Sequence, residues 1–104
     1  YMPWRQHGDI EHLQKGGRWQ LQRHIYGMPF YYIDYTLAQT CAFQFWVKSR
    51  EDKKEALESY IQLCKRGGEA PFQALATSAG LESPFKKGCL KNVVSHIKTY
   101  LNLD

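Results

Sequence analysis

The amino-acid sequence predicts an all-α fold, and two observations support that class. Its 104 residues contain no Asn-Gly or Asp-Gly hairpin turn and no sustained alternation of apolar and polar residues, which are the signals of strands. Apolar residues instead recur three and four positions apart, in segments that glycines and prolines separate. We expect a single helical unit over residues 1–104, because this length is ordinary for one domain.

The longest apolar segment runs from Phe30 to Val47 and predicts a helix over about 30–48. Its one formal charge is Asp34, and apolar or aromatic side chains occupy all its faces. A helix that is apolar all round is buried on every side. At about 1.5 Å per residue it is about 27 Å long, which a chain of this size does not easily surround. The pattern indicates a helix from the interior of a larger protein, and its polar side chains argue against a membrane span.

Two short helices are predicted before this segment. Asp9 could cap the first, over residues 10–16, and the second covers residues 18–24. Pro29 suits the first turn of the long helix, so that helix should begin close to it.

Three helices are predicted after the long one. Ser49 or Asp52 caps the first, Pro71 opens the second, and the third begins near Gly88. Two of these helices carry one-face apolar stripes that should pack on the long helix: Ala56, Leu57, Tyr60, Ile61 and Cys64 in one, and Leu90, Val93, Val94, Ile97 and Leu101 in the other.

Charge and cysteine content narrow the class of protein. The net charge is +4, but the basic residues are scattered in pairs at predicted helix ends, unlike the continuous stripe of a nucleic-acid binder. Cys41, Cys64 and Cys89 cannot all pair, and there is no Cys-x-x-Cys motif. We expect them to be reduced thiols in the core of a cytoplasmic protein.

The chain contains no self-sufficient catalytic or metal-binding motif. His7 and His12 are five residues apart, whereas a zinc-binding helix of the H-E-x-x-H type needs two histidines four apart. Neither a glycine-rich phosphate loop nor a G-x-S-x-G turn is present. The sequence therefore predicts no metal site within this chain.

The tyrosines around the start of the long helix are the strongest candidate site. Tyr31, Tyr32 and Tyr35 follow the Gly27-Met28-Pro29 break, with His24 upstream. On a helix, residues three apart lie on one face, so the hydroxyls of Tyr32 and Tyr35 would project together. Two interpretations stay open: core aromatics with locally bonded hydroxyls, or donors aimed at a substrate carbonyl or oxyanion.

The run HIYGMPFYYIDYTLAQTCAFQFW, residues 24–46, resembles the C-terminal region of the oligoendopeptidase F and thimet oligopeptidase family of zinc metallopeptidases. The resemblance continues through SREDKKEALESYIQLCKRGG, EAPFQALATSAGL and SPFKKGCLKNVVSHI, and so covers most of the chain. It is closest to the oligoendopeptidase F branch, and the block Pro-Phe-Tyr-Tyr-Ile-Asp-Tyr is its most specific part.

The resemblance implies a mostly helical enzyme with a deep channel, in which Zn²⁺ acts in the cleavage of short peptides. His24, Tyr32 and Tyr35 match the family's substrate contacts, and the two tyrosines match its oxyanion-stabilising groups. The zinc-binding motif and its third ligand would lie upstream of Tyr1. The chain thus resembles a C-terminal fragment of such an enzyme, expected alone to bind no zinc and to cleave no peptide, with neither nucleic acid nor membrane as a partner.

An alternative from a different functional class is a stand-alone helical module that binds a partner helix through its aromatic segment. In either case the apolar long helix is only partly covered by the predicted stripes. We therefore expect the fragment to self-associate as a symmetric dimer with residues 30–46 near the interface.

Overall fold

The computed structural model describes residues 3–103, and all regular structure in that range is helical, which confirms the predicted class. The α-helices are α1 (Glu11–Gln14), α2 (Arg23–Gly27), α3 (Ile33–Glu51), α4 (Lys53–Lys65), α5 (Phe72–Ser78) and α6 (Cys89–Leu101). A 3₁₀ helix over Gly17–Leu21 lies between α1 and α2. No helix within these described residues is both long and apolar enough to cross a membrane.

The chain divides into two compact units, Tyr1–Asp34 and Tyr35–Asp104. The first contains α1, the 3₁₀ helix and α2; the second contains most of α3 together with α4, α5 and α6.

The beginning of the chain folds differently from its prediction. Asp9 is not a helix cap: Ile10 occupies the cap position of α1, and no side chain bonds to that helix end. Residues 18–24 do not form one helix, because Gln22 adopts an extended conformation between the 3₁₀ helix and α2. Gly17 is buried, and the His12 ring fills the space where a side chain at residue 17 would begin.

The long helix begins at Ile33, three residues later than the sequence predicts. Phe30 has a φ of 67°, in the left-handed region, and therefore cannot belong to an α-helix. A turn forms instead, in which the Tyr31 N–H donates to the Met28 carbonyl at 3.2 Å. Consequently Tyr31 and Tyr32 lie in this turn, before α3 begins.

Asp52 separates α3 from α4, which decides between the two predicted caps. Its backbone is extended, and its Oδ1 accepts hydrogen bonds from the N–H groups of Lys54 at 2.9 Å and Glu55 at 3.0 Å. Two of the unpaired N–H groups at the start of α4 are satisfied in this way. Because the restart occurs at Asp52, α3 extends to Glu51.

Small side chains form the core of the second unit. Cys41 from α3 packs with Ala76, Ala79 and Leu81, and the partly buried Phe45 and Leu63 complete the cluster. Within α3 only Thr40 and Cys41 are buried by this chain. The core is therefore small for a helix of 19 residues.

Side-chain bonds to backbone atoms anchor the segment that follows α5. The Gln44 Nε2 donates to the Glu82 carbonyl at 2.9 Å, and the Glu82 N–H donates to Gln44 Oε1 at 2.8 Å. The Ala79 carbonyl accepts from Ser59 Oγ at 2.7 Å and from Lys48 Nζ at 3.2 Å. Side chains of α3 and α4 thus hold residues 79–82 in place.

The predicted apolar stripes of α4 and α6 face the core only in part, which corrects the sequence interpretation. On α4 the buried position is Ala56, whereas Leu57, Tyr60 and Ile61 are exposed. On α6, Cys89 and Val93 are buried, while three of the longer side chains are exposed: Leu90, Val94 and Leu101. Each helix therefore presents one edge of its stripe to the core and leaves the rest open.

Candidate functional site

His24 and two tyrosines form an aromatic cluster in the first unit. The His24 ring stacks on Tyr32 with ring centroids 5.0 Å apart and on Tyr31 at 5.8 Å. Helix α2 carries the histidine, and the turn at Phe30 places both tyrosine rings against it. Within the first unit, His24 therefore lies beside both Tyr31 and Tyr32.

A neighbouring amide contacts the His24 ring. The side chains of Gln22 and His24 are hydrogen-bonded through Gln22 Nε2 and His24 Nδ1.

Tyr32 also lines a groove of about 890 Å³ within the first unit. Apolar and aromatic side chains, Trp19, Leu21 and Ile25 among them, line it together with the basic residues Arg5 and Arg18. Apolar walls with a few charged groups are typical of sites that take small molecules or peptides.

Tyr35, the third predicted site residue, lies on the first turns of α3 in the second unit and is half-exposed. Tyr31 was not predicted as a neighbour of His24. The Gly27-Met28-Pro29 break indicates that the long helix can start after it. The left-handed backbone of Phe30, which ends any helix before residue 31, could not be read from the sequence.

The family resemblance places the zinc ligands outside this chain. Among residues 3–103, no group of three or more His, Cys, Asp or Glu side chains is placed to hold a metal ion.

The cysteines differ in their surroundings, and Cys64 departs from its prediction. Cys41 and Cys89 are buried, but Cys64 is exposed on α4. Burial raises the pKa of the Cys89 thiol above its ordinary value, with a further contribution from nearby Glu82, and burial likewise raises the pKa of Cys41. A raised pKa lowers the thiolate fraction, so neither buried thiol is suited to act as a nucleophile.

Comparison with solved structures gives three extensive matches. A structure of an oligoendopeptidase F, from crystals grown by microfluidic seeding, is 52% identical with a TM-score of 0.89. PZ peptidase A bound to an inhibitor is 53% identical with a TM-score of 0.88. Each match covers 98% of this chain and 18% of the other.

An oligoendopeptidase F structure from Bacillus anthracis is 42% identical with a TM-score of 0.71, over 92% of this chain and 18% of that one. No protein-family model and no curated protein matches the sequence. The chain is thus a counterpart, in sequence and in backbone, of a segment about one fifth the length of oligoendopeptidase F structures, which confirms the family resemblance.

Proposed function

We propose that this chain is the C-terminal segment of a zinc-dependent, cytoplasmic oligoendopeptidase that hydrolyses short peptides. The observation that carries the proposal is the identity of 52–53% over 98% of the chain with an oligoendopeptidase F and with PZ peptidase A. Such identity concerns a segment that spans 18% of those chains, so the remaining parts of the active site would come from the rest of the enzyme.

In this proposal His24 and Tyr32 contact the bound peptide. Their rings stack on each other, and the Gln22 side chain is hydrogen-bonded to His24 Nδ1. The adjacent groove has the size and the mixed apolar and basic lining that suit a short peptide. These features support a substrate-binding role for the first unit.

The hydroxyls of Tyr32 and Tyr35 are proposed to donate hydrogen bonds to the oxyanion that forms when the scissile carbonyl is attacked. Donors held in place before the reaction stabilise such a charge more than water does. A zinc ion, held by residues outside this chain, would supply Lewis-acid activation of the carbonyl and of water. Since the chain provides no ligand set of its own among the described residues, we propose that alone it is inactive.

The test is to replace each tyrosine by phenylalanine in the full-length oligoendopeptidase that carries this segment. We expect Tyr32→Phe and Tyr35→Phe each to lower kcat by on the order of 10²–10³ while KM changes much less. Tyr100→Phe is the matched control, because Tyr100 is an exposed tyrosine whose ring contacts Trp46 on the second unit. Wild-type turnover in both test variants would show that these tyrosines are structural.

A further inference from the structure

The groove of the first unit carries formal charges of one sign. Arg5 and Arg18 line it, and Arg18 is half-buried. The first unit contains three acidic residues, none of which is among the described residues that line the groove: Asp9, Glu11 and Asp34. Glu11 is paired with Lys15 instead. Within the described part of the chain, the formal charges on the groove wall are therefore all positive.

The 3₁₀ helix places this positive charge next to an apolar wall. Arg18, Trp19 and Leu21 belong to that helix, and all three line the groove. Trp19 is 54% exposed and Leu21 68%, so both offer much of their surface to a bound molecule. A ligand in the groove would thus meet a guanidinium group and an apolar surface side by side.

The groove adjoins the aromatic cluster through Gln22 and Tyr32, both of which line it. Gln22 Nε2 is hydrogen-bonded to His24 Nδ1, and the Tyr32 ring stacks on the His24 ring. A peptide that contacts His24 and Tyr32 can therefore extend directly into the groove. The volume of about 890 Å³ lies within the range of sites that bind small ligands.

We infer that the groove selects peptides that carry a carboxylate next to an apolar side chain. The guanidinium group of arginine is a planar fork of N–H donors that matches a carboxylate, and partial burial of Arg18 makes the attraction stronger than in bulk water. Trp19 and Leu21 supply the surface for the apolar side chain. The carboxylate can belong to an acidic side chain or to the C-terminus of the peptide. This preference rests on the proposed function, because it concerns the peptides that the enzyme cleaves.

The test compares three peptides that differ only in their carboxylates, with the full-length oligoendopeptidase that carries this segment. The first peptide has one Glu beside a Leu and a free C-terminus. The second has Gln in place of the Glu, and the third has an amidated C-terminus. Zinc is removed by a chelator, so that no peptide is cleaved and no carboxylate binds the metal, and affinity is measured by calorimetry.

We expect at least one of the two altered peptides to bind about tenfold or more weakly than the first. A tenfold loss is near the low end of what a hydrogen bond to a charged group contributes. The altered peptide that loses affinity identifies the source of the carboxylate, either the acidic side chain or the C-terminus.

Arg18→Gln tests whether the groove provides the partner of that carboxylate. The substitution should weaken the first peptide about tenfold or more. It should leave the altered peptide that binds weakly within about twofold, since the interaction with Arg18 is already lost there. Arg23→Gln is the matched control, because Arg23 is an exposed arginine of α2 outside the groove. It should leave all three affinities within about twofold.

Two results would overturn the inferred preference. Equal affinities of the unmodified enzyme for the three peptides would do so without any variant. An equal effect of Arg18→Gln on all three peptides would do so as well, because Arg18 would then support the fold and not bind a carboxylate.

Cleavage after zinc is returned tests the proposed function separately. An enzyme that shows the preference in binding but cleaves none of the peptides supports the preference and contradicts the proposed function. An enzyme that cleaves all three peptides with equal kcat/KM contradicts the preference alone.

Discussion

Replacing Gln44 by methionine tests the bonds that hold the segment after α5. Methionine keeps the length and approximate volume of glutamine but can neither donate to the Glu82 carbonyl nor accept from the Glu82 N–H. The two bonds are 2.9 and 2.8 Å long and partly buried. At about 1 kcal/mol net for each, the substitution should lower the free energy of unfolding by about 2 kcal/mol.

That loss corresponds to a decrease of roughly 8 °C or more in the midpoint for a domain of this size. Urea unfolding followed by circular dichroism measures the loss in the free energy of unfolding. Gln62→Met is the control, because Gln62 is an exposed residue of α4. The control should stay within about 0.5 kcal/mol of the parent chain. If Gln44→Met also stays within that limit, water replaces both bonds at no cost and the argument is wrong.

Two further predictions concern the thiols and the association of the chain. Burial raises the pKa of Cys41 and Cys89 in the folded state, so their contribution to stability is complete below the unfolded pKa, about 8.5, and is lost as the pH rises through the folded pKa. We expect the free energy of unfolding to fall as the pH rises above the unfolded pKa. Iodoacetamide should modify the exposed Cys64 well before Cys41 and Cys89. Equal rates of modification for all three thiols would contradict the assigned burial. Self-association through residues 30–46 stays a prediction: light scattering should show a species heavier than one chain, and a monodisperse monomer at tens of micromolar would exclude it.

The sequence predicted helices best where a local signal marks an end. Asp52 was one of two predicted caps, and its carboxylate does cap α4. Gly88, where the last helix was expected to begin, takes a left-handed conformation immediately before α6. These ends depend on residues within one turn of the chain, so a short pattern contains the necessary information.

Features that depend on tertiary contacts were predicted less well. Periodicity located the apolar stripes of α4 and α6, but it could not show which edge meets the core. The residues that these helices bury are short ones, Ala56 on α4 and Cys89 and Val93 on α6.

The roles of His24, Tyr32 and Tyr35 stay a prediction. The sequence placed Tyr32 on the long helix, whereas Tyr32 lies in the turn before α3 and its ring stacks on His24. The difference arises from one backbone conformation, the left-handed Phe30. Non-glycine residues adopt it rarely, so sequence patterns alone do not anticipate it.

The contact between His12 and Gly17 makes two positions in the first unit depend on each other. A Cβ atom at residue 17 would overlap three atoms of the His12 ring, Nε2, Cδ2 and Cε1. No positive φ at Gly17 adds a conformational reason for glycine, so this contact alone restricts residue 17. Because His12 is exposed, its ring can turn toward solvent and admit a small side chain there. Alanine at residue 17 should therefore displace the His12 ring, and the same substitution should move nothing in a chain that has glycine at residue 12, an instance of epistasis between residues on α1 and on the 3₁₀ helix.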